Sequence, residues 1–190
     1  MRGFRSSAWR RFEPVRAPSP VATAPLRVLG LDPGSRITGY GVVEVSAARL
    51  SHVASGCIRP AATDLPARLA EIHRQVAALV AEYAPGEVAI ERVFVHVNPD
   101  SALKLGHARG VALAAVAAAG VAVHEYTPRA VKKTVTSHGG AEKAQVQHMV
   151  KALLGVEGRL GADAADALAI ALCHAQHRGL AALVAGGGWR

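Results

Sequence analysis

The sequence predicts a single α/β domain: a five-stranded mixed sheet flanked by helices. Three observations carry this expectation. Residues 27–32, 40–46 and 49–58 are apolar or alternating runs joined by short turns, the pattern of an antiparallel meander. From residue 65 onward, helix-period segments alternate with short apolar runs at 87–94 and 121–126, which calls for crossover connections and parallel strands. A length of 190 residues with 51% apolar content is enough to bury one sizeable core.

The elements follow in order. Residues 1–25 are Arg-rich, carry Pro14, Pro18, Pro20 and Pro25, and lack any periodic pattern. They read as a disordered basic extension, dispensable for chemistry, ahead of a domain at 26–184 and a flexible tail at 185–190. The domain is organised around residues 28–41. Val28 to Leu31 form a strand that delivers Asp32 to its carboxyl end, Pro33, Gly34 and Gly39 build a turn, and Tyr40 to Val45 return. Leu65, Leu69, Ile72, Val76, Leu79, Val80 and Tyr83 then line one face of a helix that Pro85-Gly86 ends. A second helix covers 98–119 and Gly120 closes it. On it, Ala102, Gly106, Gly110, Ala114 and Ala118 recur every four residues, a stripe that permits close helix approach, either within the chain or to a second subunit. Helical patterns at 128–136, 141–154 and 163–184 complete the chain. The apolar stretch 110–123 is too short to cross a bilayer, and no membrane association is expected.

The net charge of +8 is uneven. Residues 1–27 hold six arginines against Glu13, and the remainder holds 16 basic and 13 acidic side chains. If four of those acids are sequestered at a metal site, the rest of the surface suits a polyanionic partner. Two cysteines, Cys57 and Cys173, both in apolar context, indicate a reducing, cytoplasmic compartment and small packed side chains rather than nucleophiles. Nine histidines show neither HExxH nor Cys/His pairing, so a structural zinc site is not expected. A Walker-type lysine loop and a nucleophilic triad are also missing from the pattern.

Four carboxylates carry the chemistry. Asp32 and Glu91 each end an apolar strand, and a right-handed crossover can lay those strands side by side. Asp163 and Asp166 lie three apart at a helix start, hence roughly 5–6 Å from one another on one face. Ala-rich neighbours let that helix lie close against the sheet. Each acid alone has an ordinary reading, as a turn residue, a solvated strand end or a helix cap. Brought to one sheet edge, the four would repel strongly without a hard cation. Two such ions can activate a water and stabilise the leaving oxygen in phosphodiester cleavage.

The strings LGLDPGSRITGYGVV, AIERVF, NPDSALKLGHARGVAL, AEKAQVQHMVKALL and ADAADALAIA, in order over about residues 27–177, resemble the RuvC family of Holliday-junction resolvases. The resemblance implies an RNase H-like fold and a homodimer that makes paired symmetric nicks in four-way junction DNA, in recombination and repair. It also implies Mg²⁺, with Mn²⁺ able to substitute, as two ions per site, and the branch-migration partners RuvA–RuvB. Position by position, Asp32, Glu91, Asp163 and Asp166 match the family's acidic metal-binding set, with Asp163 at a place where some members carry His. Phe94 matches an aromatic that stacks on bases, and Lys132 and Lys143 match basic residues near the scissile phosphate; Arg92, beside Glu91, joins them as a DNA contact. The chain departs from the family pattern in its leader, its glycine-ended tail and His96-Val97, where a basic residue is common. Two other classes remain: an actin-like phosphate-loop enzyme, for which a second Asp-Gly-rich loop is missing, and a non-catalytic junction-binding scaffold.

Overall fold

The structure, a computed structural model, describes residues 25–46, 49–92 and 99–186. Five strands run β1 (Leu26–Asp32), β2 (Thr38–Ser46), β3 (Arg49–Ile58), β4 (Glu87–Glu91) and β5 (Ala122–Tyr126). Five helices run α1 (Leu65–Tyr83), α2 (Pro99–Ala118), α3 (Pro128–Thr136), α4 (Lys143–Leu154) and α5 (Ala162–Gly186). The sheet order is β3-β2-β1-β4-β5, with β1, β2 and β3 antiparallel and β1, β4 and β5 parallel. This is the mixed five-stranded sheet that the sequence predicts.

Strand alternation sorts the sheet's side chains into two cores. Leu29, Leu31, Val42, Val88 and Ile90 pack with α1 and α2 on one face. Val28, Val43 and Ala89 pack with α3, α4 and α5 on the other. Each fully buried Leu, Ile or Val contributes about 1.5–3 kcal/mol, so apolar burial stabilises the sheet on both faces. The local signals are ordinary ones. Asp64 caps α1 by accepting from the Ala67 N–H at 2.9 Å, and Thr127 caps α3 by accepting from the Ala130 N–H at 3.1 Å. Ala84 ends α1 in the left-handed conformation, φ 44°, just ahead of Pro85.

Two expectations need correction. Gly39 lies within β2, opposite Asp32, not in the turn; Thr38 closes that turn, donating to the Gly34 carbonyl at 2.9 Å and accepting from the Gly34 N–H at 3.2 Å. And β4 ends at Glu91, with Arg92 already out of the strand and residues 93 and 94 of the expected run outside the described residues. Residues 1–24 of the leader and the last four residues lie outside the described residues, while α5 carries the domain to 186, through the start of the expected tail.

The glycines of the central strands have a packing role. A Cβ on Gly39 would collide with the Asp163 carbonyl, one on Gly30 with the Ala167 carbonyl, and one on Gly41 with Leu168. Gly30 and Gly41 are partners across β1 and β2. Bare backbone on the sheet thus meets the Ala-rich side of α5, where Ala164, Ala165, Ala167 and Ala171 are buried. That close approach brings the start of α5 to the end of β1.

Candidate active site

Asp32 ends β1 and Glu91 ends β4, and the parallel register Leu31↔Ile90 sets the two acids side by side at the carboxyl ends of adjacent strands. Open sheets of this type place their ligand crevices there. Asp32 lies in step with Val28 and Gly30, and Glu91 with Ala89, so both face α5. A cleft of about 410 Å³ is lined by Asp32, Glu91, Lys132, Lys143 and Asp166, with Pro128, Val131, Val146 and Ala169 as its apolar walls.

Asp163 stands at the edge of this group, with its Oδ2 3.9 Å from Arg59 Nη2 and 4.0 Å from Cys57 Sγ. Cys57 is half-buried beside a carboxylate, whereas Cys173 is buried in the core as expected. Lys143 opens α4 and reaches Asp166 Oδ2 at 3.4 Å. Lys132 projects from α3 into the same cleft.

The electrostatics follow from this crowding. Burial first, then the charges of Glu91 and Asp166, push the Asp32 carboxyl up from 3.8 to about 7, Asp163 adding a little and Lys143 opposing. Burial and Asp166 likewise raise Glu91, with Lys143 and Lys132 opposing. Lys143 in turn is raised, chiefly by Asp166. Near neutral pH the uncompensated cluster is therefore still partly protonated, where four exposed acids would be fully ionised. An all-oxygen donor set that holds a proton for want of positive charge fits a hard divalent ion.

A pH dependence follows. Between about 3.8 and about 7 the folded chain holds a proton on Asp32 that the unfolded chain has released. In chelator, the stability due to this group should therefore fall as pH rises through that interval and level off above it. Asp32→Asn should flatten the fall, and saturating Mg²⁺ should reverse it, as read by denaturant midpoints across pH. A parent and an Asp32→Asn profile of equal slope would refute it.

Sequence reasoning missed the supports. Arg109 of α2 donates from Nε to the Glu91 carbonyl at 3.3 Å and pairs through Nη2 with Glu125 at 2.6 Å. Arg92, expected at DNA, pairs with the same Glu125 at 3.4 Å, and its N–H donates to the Tyr126 carbonyl at 2.7 Å. The pattern gave no sign of these pairs, because their members come from three separate elements. Phe94, His96 and Val97 lie outside the described residues.

Fold and site together define a nuclease of the RNase H-like class, with its acids at the sheet's carboxyl edge. The family model for crossover junction endodeoxyribonuclease RuvC matches residues 28–174. The chain is 57% identical over 148 residues to the crossover junction endodeoxyribonuclease RuvC of Marinobacter nauticus, covering 78% of this chain and 85% of that one. With the Dichelobacter nodosus protein of the same name it shares 53% over 151 residues, 80% and 86% of the two chains. Among solved structures, Thermus thermophilus RuvC in complex with Holliday junction substrate superposes with a TM-score of 0.77 at 34% identity, covering 82% of this chain and 96% of that one. The yeast mitochondrial Holliday junction resolvase Ydc2 shares the fold, with a TM-score of 0.64 at 15% identity over 81% of each chain. The chain belongs to the RuvC family of crossover junction endodeoxyribonucleases.

Proposed function

We propose that this chain resolves four-way DNA junctions as a homodimer, by paired nicks made at Asp32, Glu91, Asp163 and Asp166. The observation that carries the reading is the meeting of Asp32, Glu91 and Asp166 with Lys132 and Lys143 in one cleft, Asp163 at its edge, in a chain of this family. Mg²⁺, as two ions held by these acids, would supply an activated water and stabilisation of the leaving oxygen, with Mn²⁺ as a substitute. Lys132 and Lys143 hold the phosphate and offset charge that develops on it. Lys143, already bonded to Asp166, also holds that carboxylate in place at the cleft. Arg92 has a half-exposed side chain and contacts DNA with what Glu125 leaves free.

The homodimer reading rests on α2. Gly106, Gly110, Ala114 and Ala118 face outward while Ala108, Ala112, Ala115 and Val116 are buried, and Leu103 is 60% exposed beside the stripe. Gly106, Gly110, Ala114 and Ala118 are therefore open to a second copy, while Ala102 at the start of the stripe is partly buried. Among the described residues no helix is long and apolar enough to cross a membrane. Cytoplasmic placement and handover from RuvA–RuvB belong to the same proposal. In it Phe94 is the base platform: Phe94→Ala should slow nicking of intact junctions more than of mismatch-opened ones, and equal slowing on both would return Phe94 to a packing role.

One cluster per chain means one cut per subunit. On a plasmid cruciform the parent dimer should give linear product in a single binding event. A purified mixed dimer of parent and Asp32→Asn chains should give nicked circle at near-parent affinity. Linear product from the mixed dimer, with subunit exchange blocked, would refute the paired symmetric sites. No cutting by the parent in Mg²⁺ would favour a binding scaffold.

A further inference from the structure

A second cluster sits on the same face of the sheet, at the other end of β4. Glu87 opens the strand that Glu91 closes, which puts roughly 13 Å of strand between them. His124 lies on β5, in register with Ala89, and its ring stacks on that of His174 of α5, centroids 4.3 Å apart at 25°. His174 is 3% exposed. Its Nε2 lies 2.6 Å from Glu87 Oε2 and its Nδ1 2.7 Å from the Tyr126 hydroxyl. Arg178 donates to the other Glu87 oxygen at 3.1 Å. One ligand atom from each of Glu87, His124 and His174 falls within 4.8 Å of the other two.

We propose that Glu87, His124 and His174 form a second metal site, for a zinc-class divalent ion, that staples α5 to β4 and β5. The donor set separates it from the catalytic acids: two imidazoles and one carboxylate select zinc-like ions, whereas four carboxylates select magnesium-like ones. Donors on tetrahedral zinc stand about 3.4 Å apart, so the 2.6 Å His174–Glu87 pair opens as the proton between them leaves, and rotation of the half-buried His124 ring brings in the third donor, which now lies within 4.8 Å of the other two. Outer contacts are already in place. With Nε2 on the ion, His174 donates Nδ1–H to Tyr126, and Arg178 leaves Glu87 a single free oxygen. Burial holds His174 below its ordinary range, with His124 and Arg178 adding to this and Glu87 opposing. Burial would raise Glu87, but the bonds from His174 and Arg178 outweigh it and hold the carboxyl low. A neutral imidazole and an ionised carboxylate are the protonation states that a metal ion binds. The fourth position is left to water.

The competing arrangement is a metal-free relay in which Nε2–H donates to Glu87 and the Tyr126 hydroxyl donates to Nδ1. The full-length protein in saturating Mg²⁺, which occupies the catalytic acids, is titrated with Co²⁺ and with Zn²⁺. We expect one ion per chain, a visible cobalt spectrum of low-coordinate nitrogen ligation without a sulfur charge-transfer band, and a Zn²⁺-dependent rise in melting temperature. His124→Phe leaves every bond of His174 intact and should weaken Zn²⁺ binding by at least ~10–100-fold. If that variant folds poorly, Glu87→Gln should give the same loss. Binding that is equal in parent and variants, absent in Mg²⁺, or accompanied by a thiolate band would overturn the proposal in favour of the relay or of the cysteines.

Discussion

Asp32→Asn should lower junction nicking by at least about a thousandfold, the loss of some 4 kcal/mol of transition-state stabilisation, while junction affinity stays within about threefold. Asp166→Asn should do the same. The asymmetry arises because affinity for DNA comes from contacts between cations and phosphate, and neither substitution removes a cation. Removing an anion from a basic surface should, if anything, tighten binding. The fold should survive as well, since burial and its neighbours keep Asp32 partly protonated even near neutral pH, and the amide resembles that uncharged form. Nicking rates under single-turnover conditions and band-shift titrations in Ca²⁺ measure the two quantities separately. A folded variant that loses binding and nicking in parallel would remove Asp32 or Asp166 from catalysis and make it a DNA-positioning residue.

Gly39→Ala and Gly30→Ala should each destabilise the domain by about 2–3 kcal/mol or more, because the new methyl meets backbone atoms and not a yielding side chain. At Gly39 the obstacle is the Asp163 carbonyl, and at Gly30 it is the Ala167 carbonyl. To make room, α5 must shift away from the sheet, taking Asp163 and Asp166 with it. Nicking should therefore fall further than the unfolded fraction explains. Gly179→Ala is the control on the same helix: nothing stands within 4 Å of its Cβ, and alanine in a helix is worth about 0.5–1 kcal/mol over glycine. Denaturant midpoints and nicking rates for the three variants settle it. Midpoints for Gly39→Ala and Gly30→Ala at or above that of Gly179→Ala would mean that α5 adapts freely, and that the contact does not place the acids.

Much of this could be read from the sequence, for physical reasons. The apolar runs Val28-Leu29-Gly30-Leu31 and Val88-Ala89-Ile90 announce buried strands, and a carboxylate just past such a run is visible as a strand-end acid. Asp163 and Asp166 were legible because a spacing of three fixes their relation on a helix. Harder to see was why Gly39 is glycine. Beside Pro33 and Gly34 it looks like turn chemistry, yet it serves a helix more than a hundred residues away. Arg109 with Glu125, and His124 with His174 and Glu87, were illegible for a related reason. Each joins elements distant in the chain, where no period or spacing connects the partners. The expectation of no structural zinc site came from local spacing alone, which cannot see the grouping of Glu87, His124 and His174 across the sheet.

The proposed active site gathers residues from opposite ends of the domain: Asp32 ends the first strand, while Asp163 and Asp166 begin the last helix. During synthesis, at about 5–20 residues per second, well over a hundred residues must follow Asp32 out of the ribosome before Asp166 appears. Helix α5 must then dock on a sheet that already contains β4. Until that moment the growing chain carries its basic residues and half of its acids, but it has no complete cation site. Incomplete or prematurely terminated chains can thus meet DNA without cutting it. For a nuclease built in this way, the order in which the chain is made acts as a safeguard that needs no inhibitor.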